Sequence, residues 1–186
     1  METLDGRLAQ VGARIDDLGA RARNPPDADG RRILRRVDEM RDREAELRMA
    51  WRSGATGASE TAVRLDQLDV DVDIACAELD AAHAADRASF EAQAQTALDR
   101  WSRSQELLAA RVAAVPSPAR RSLEALLTEA RRRQAVAAQR LRDLHDASDE
   151  AWKVRKAGVA LAFERLERSA STASRQCELT NQTKEK

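Results

Sequence analysis

The sequence predicts an all-α protein, an elongated antiparallel helical bundle or coiled coil made of two related units. Three observations predict it. Apolar residues recur every three or four positions along most of the chain. Of 186 residues, 42% are hydrophobic and 34% charged but only 3% aromatic, the composition of long helices with narrow seams. The prolines are confined to Pro25, Pro26, Pro116 and Pro118, where they end helices without breaking any internally. Much of the apolar share is alanine, a strong helix former with little volume to fill a thick core.

Taken in order, residues 1–23 carry Leu4, Leu8, Val11, Ile15 and Leu18 on one stripe of an amphipathic helix, weakened by Gly6, Gly12 and Gly19. Residues 24–30, with two prolines and a glycine, form a turn. A second helix covers residues 30–53, with Leu34, Val37, Arg41, Glu44, Leu47 and Trp51 on one side. The stretch 53–59 is a break or sharp kink, and Ser59 is a suitable N-cap for the next helix.

Residues 59–115 contain neither Gly nor Pro, and their apolar spacing falters only near Asp86. They predict one helix of about 56 residues, on the order of 80 Å long. The alternation in Asp69-Val-Asp-Val-Asp-Ile74 would suit a strand, but no turn residues flank it, so helix is retained. Pro116 and Pro118 force a turn, and a last helical segment runs over residues 119–169. Within it Ser148, followed by Asp149 and Glu150, either restarts the helix as an N-cap or lies inside a continuous one. Residues 170–186, rich in Ser, Thr, Gln and Asn, are expected to be a disordered tail.

Charge is unevenly spread although Lys+Arg and Asp+Glu both total 32. Residues 57–99 hold 10 acidic and 2 basic side chains, residues 31–52 hold 8 basic and 5 acidic, and residues 119–142 hold 7 basic and 2 acidic. An acidic stretch between two basic ones implies that the chain folds back on itself, since flanking charges set partner and orientation in coiled coils. A net charge of zero argues against a dedicated nucleic-acid binder. Cys76 and Cys177 are no disulfide framework and fit a reducing compartment. The first ten residues have neither the basic start nor the apolar core of a signal peptide. The longest apolar run, residues 157–163, is too short to span a bilayer, so a soluble, cytoplasmic protein is expected.

A shift of about 89 or 90 residues brings similar landmarks into register. Ala58-Ser-Glu60 falls on Ala147-Ser-Asp149, the proline turns fall on one another, and Arg31-Arg32 falls on Arg120-Arg121. The units so defined are residues 1–90 and 91–169, followed by the tail. In the second, Leu98-Asp-Arg-Trp101 with Leu108, and then Asp146-Ala-Ser-Asp-Glu-Ala-Trp-Lys-Val-Arg-Lys-Ala-Gly158, resemble the opening and closing segments of a family of small bacterial coiled-coil proteins. That family includes stress-protein-like members and is distantly similar to apolipoprotein-like helical repeats. The resemblance covers residues 95–168. The first unit departs from it, with Val11 and Val63 where the family has Trp. It implies a helical bundle with a possible link to stress, and no catalytic residue or cofactor.

The candidate chemistry is thin. Asp69, Asp71 and Asp73 resemble the start of an EF-hand loop, but Ile74 and Asp80 stand where that loop needs Gly and Glu, so a solvated acidic face is expected. Cys76 and His83 supply two ligands where structural zinc needs four. His145 beside Asp143 and Asp146 lacks a nucleophile motif. Arg131-Arg132-Arg133 and Arg31, Arg32, Arg35 and Arg36 are read as faces that pair with the acidic stretch, and Trp51, Trp101 and Trp152 as seam anchors. No catalytic, cofactor or metal residue is assigned. The expectation is a non-enzymatic structural or protein-interaction protein, with a protein partner or a homodimer through helix seams. The alternatives are a peripheral membrane or lipid-binding protein and a nucleoid-associated DNA-binding protein.

Overall fold

The computed structural model describes residues 3–24 and 28–182. It contains α1 (Leu4–Ala22), α2 (Ala28–Arg52), α3 (Ala58–Ala82), α4 (Arg87–Ala113), α5 (Ser117–His145) and α6 (Asp149–Gln182). The fold is an all-α helical bundle. The Asp69–Ile74 segment is helical, within α3. Pro25, Pro26 and residues 183–186 of the expected tail lie outside the described residues.

Three expectations about the helices are corrected. The single central helix is two, α3 and α4, separated at residues 83–86. The break is capped from both sides: the backbone N–H of His83 reaches the Leu79 carbonyl, while Asp86 accepts from the backbone N–H of Ser89 at 2.8 Å and from its hydroxyl at 2.9 Å. An aspartate N-cap thus does the work of a turn residue without Gly or Pro. Ser59 lies inside α3, whose N-cap is Gly57; Thr61 ties down that turn by donating to the Gly57 carbonyl at 3.0 Å. Residues 171–182 continue α6, because Ala173 (1% exposed) and Cys177 (0%) keep its apolar stripe going into the core. The chain divides into two compact units, Met1–Arg100 and Trp101–Lys186.

Unit 1 is organised around α3. Leu8, Val11, Ile15, Leu18 and Ala22 of α1 repeat at 3-4-3-4 spacing, as do Leu65, Leu68, Val72, Ala75 and Leu79 of α3. With Ile33, Val37, Met40 and Leu47 of α2 they form one core, against which Leu34 and Trp51 pack half-buried. The α2 stripe is therefore rotated from the expected one. Arg41 lies outside it and bonds Asp16 of α1 at 2.7 Å. The α2–α3 connection opens with a Schellman motif, in which Ala55 N–H bonds the Ala50 carbonyl and Gly54 N–H that of Trp51. Gly54 takes φ 70° there, a left-handed conformation that side chains disfavour.

Ion pairs record the topology. Arg7, Arg14 and Arg21 of α1 reach Asp66, Asp73 and Asp80 of α3, each 59 residues further on, so both partners advance by heptads and the two helices run parallel. Arg14 also bonds Asp69. Between α2 and α3 the order reverses: Arg36 meets Glu78 and Arg43 meets Asp71, which is antiparallel packing. Arg100 of α4 joins Asp73 as well. Nearly the whole circumference of α3 is consequently occupied, with Ile74, Ala77 and Glu78 buried in addition to its heptad stripe.

In unit 2, α5 and α6 pack antiparallel, with Arg155 donating to the Asp143 carbonyl. Ala130, Ala137, Ala162 and Ala170 are buried between larger residues such as Leu144, Phe163 and Leu166. Leu108 and Val112 from the end of α4, and Val115 just after it, join Leu123, Leu127, Ala173 and Cys177 in a second core. Ser148 heads α6: its carbonyl accepts the Trp152 N–H at 2.9 Å, and Asp149 and Glu150 occupy the first turn, where the helix dipole favours negative charge.

Candidate functional site

The residues that look most like chemistry in the sequence serve the fold. Asp69, Asp71 and Asp73 are half-buried carboxylates facing arginines of three other helices, so the expected solvated acidic face is an internal one. The reason is geometric: α3 lies between α1 and α2, so its polar positions meet the arginines of its neighbours and are only partly open to water. Deeper still, the Glu78 side chain is 1% exposed and takes Arg32 at 2.7 Å and Arg36 at 3.0 Å on the same oxygen. Arg31 and Arg35 point outward from the same helix.

Cys76 is half-buried near Arg14 and Arg21; burial pushes its thiol up, against the pull of those guanidiniums. His83 is exposed at the C-cap of α3, and His145 is exposed at the end of α5. Asp143 accepts from the Gln139 amide at 2.7 Å, and Asp146 caps α5. Among the described residues no group of three or more His, Cys, Asp or Glu side chains could hold a metal ion. None of the described helices is long and apolar enough to cross a membrane. Trp101 is buried, Trp51 packs on the first core, and Trp152 carries the Lys156 ammonium 5.3 Å above its ring.

The feature left without a structural task is a groove of about 610 Å³ on unit 2, between the outer faces of α5 and α6. From α5 come Arg133, Val136, Arg140 and Asp143; from α6 come Val154, Arg155, Gly158, Leu161, Ala162 and Arg165. The spacings 133, 136, 140 and 154, 158, 161, 165 are those of single helix faces. Its floor is apolar and open: Val136 is 42% exposed, Leu161 45% and Val154 77%. A side chain at Gly158 would meet nothing within 4 Å, so the glycine leaves room that no neighbour uses.

Its rim is basic, with four arginines to one aspartate. Arg133 bonds Glu129 at 2.6 Å, whereas Arg140 and Arg165 are exposed and have no carboxylate within ion-pair reach among the described residues. The hydrogen bond from Arg132, with Arg133 adding to it, pulls Glu129 down to about 2, and the same bond raises Arg132. These charges therefore persist throughout the physiological range. Of the arginines on this face, Arg133 is satisfied within its own helix and Arg155 by the Asp143 carbonyl of α5, which leaves Arg140 and Arg165 without a carboxylate partner among the described residues. The imbalance extends to the whole unit: Met1–Arg100 holds 21 acidic and 15 basic residues, net −6, whereas Trp101–Lys186 holds 11 acidic and 17 basic, net +6.

The arginine runs are legible in the sequence, but the groove is not. Val136, Val154 and Leu161 look like ordinary members of an apolar helix, and only the α5–α6 pairing shows that they face away from the core. The fold defines the chain as an all-α helical-bundle protein with two compact units. No family model, no curated protein and no solved structure matches it.

Proposed function

We propose that the chain is a non-enzymatic helical-bundle protein that acts by binding another protein through the α5–α6 groove. The observation that supports this is the coincidence, on one face, of open apolar side chains with two exposed arginines, Arg140 and Arg165, that form no ion pair among the described residues. An apolar floor rimmed by polar groups is the usual anatomy of a protein-binding surface, in which the floor supplies affinity and the rim supplies orientation. Long helices whose main apolar stripes are buried in the two cores provide a rigid scaffold to carry it. The favoured ligand is a helix, since a groove between two antiparallel helices accepts a third by ridge-into-groove packing.

The test is a photo-crosslinking amino acid placed at Leu161 in the full-length chain within its native cell. Protein adducts that vanish when Gly158→Leu fills the groove support the reading. Absence of protein adducts overturns it. Flotation with vesicles containing 30% phosphatidylserine, or retention on duplex DNA, each abolished by Gly158→Leu, would assign the groove to a membrane or a nucleic acid and likewise overturn it.

A further inference from the structure

We infer that the occupant of the α5–α6 groove is a second copy of this chain, which inserts the acidic outer face of its α2. This rests on the groove being a protein-binding surface and names its partner. The case begins with charge. The groove lies on the unit of net +6, and the same chain carries a unit of net −6, so two copies offer each other opposite fields while the whole molecule, at net zero, has no charge to keep copies apart.

The surface of unit 1 then locates the complementary element. Asp38, Asp42, Glu46 and Met49 fall at i, i+4, i+8 and i+11 on the outer side of α2. All four are exposed, and Asp42 and Glu46 have no ion-pair partner among the described residues. Arg35 and Arg52 bound this acidic run at its two ends. It is about 16 Å long at 1.5 Å per residue, the same as the groove measured from Val154 to Arg165.

Apolar matching points the same way. Met49 at 71% and Val154 at 77% are the two most exposed of the large hydrophobic residues described, one on each of the two surfaces. Methionine fills irregular gaps readily, and Gly158 leaves such a gap beside Leu161. Docking α2 there sets Asp42 and Glu46 against Arg140 and Arg165 and removes both apolar side chains from water. The contact joins different patches on the two copies. It closes as a reciprocal pair if both copies dock on each other, and propagates otherwise. A single helix face on a groove is a small interface, so the association is reversible and depends on salt.

Sedimentation equilibrium of the full chain from 1 to 200 µM, in 50 mM and in 500 mM salt, tests this. The expected result is reversible association at 50 mM salt, weakened at least about tenfold at 500 mM. Arg140→Glu with Arg165→Glu, and separately Asp42→Arg with Glu46→Arg, each abolish it, and an equimolar mixture of the two variants restores it. All four positions are exposed, so circular dichroism should report an unchanged fold, and Gly158→Leu provides a block that alters no charge. A chain that stays monomeric at 200 µM in 50 mM salt overturns the inference, as does association indifferent to either reversal or a mixture that fails to recover. Crosslinks from Leu161 to a different protein, in a chain that does not self-associate, would leave the interaction reading standing and remove only the second copy.

Discussion

Replacing Glu78 by glutamine tests the idea that unit 1 is held in register by charges buried inside it. The Glu78 side chain is 1% exposed, and the arginines that share its oxygen are 14% (Arg32) and 10% (Arg36) exposed. The substitution keeps the shape but leaves two guanidiniums facing a neutral amide. Breaking a buried pair from one side costs about 3–5 kcal/mol, and the amide oxygen still accepts one hydrogen bond, which puts the expected loss near ~3 kcal/mol. In a unit of about 100 residues each kcal/mol moves Tm by about 4–8 °C, so a fall of about 12–24 °C is expected. The assay is Trp51 fluorescence on heating, with Trp101→Phe and Trp152→Phe as background, because Trp51 packs on the unit 1 core. Glu78→Leu combined with Arg32→Met and Arg36→Met should recover more than half of the loss, since apolar groups of similar volume then replace the whole charged triad and its desolvation cost. A fall below about 5 °C for the glutamine variant would refute the reasoning, by showing that the two arginines find solvent once the carboxylate has gone.

Two glycines of α1 should respond in opposite senses to alanine. A Cβ at Gly12 meets only flexible side-chain ends at 3.6 Å, so Gly12→Ala should gain up to about 1 kcal/mol, whereas at Gly19 it meets Val37 at 3.2 Å and should gain nothing or lose stability; urea denaturation compares them. Acid should loosen the start of α4. Hydrogen bonds from the backbone N–H and hydroxyl of Ser89 lower Asp86 below its ordinary 3.8, so its contribution is full above that pH and fades as pH falls through the lower folded value. Carbon chemical shifts at residues 87–90 should move toward coil below about pH 4, and Asp86→Asn should flatten that profile; an identical profile in the variant refutes the assignment. Truncation after Ala170 removes Ala173 and Cys177 from the second core and bares Leu123 and Leu127. The expected cost is about 2–5 kcal/mol, read by circular dichroism during denaturation, and an unchanged midpoint would return residues 171–182 to the status of a tail.

The sequence by itself determined that the chain is helical and where most of its core lies. Heptad spacing acts locally, because residues three and four apart share a helix face whatever the surroundings, and so Leu8 to Leu18 and Leu65 to Leu79 could be named as seams without coordinates. The fold-back between a basic and an acidic stretch was legible for the same reason in unit 1, where Arg32, Arg36 and Arg43 meet Glu78 and Asp71. The helix end at residues 83–86 was not, since Asp86 caps by a bond that leaves no mark on the apolar pattern beyond a brief lapse.

Only tertiary structure decided which polar residues are interior and which apolar ones are not. Glu78 and Asp71 look solvated in a sequence, and they become internal because α3 is surrounded. Val154 and Leu161 are apolar, yet they are exposed because the pairing of α5 with α6 turns them outward. Burial depends on the neighbours that a helix meets, and helical periodicity fixes a face without fixing what that face will meet.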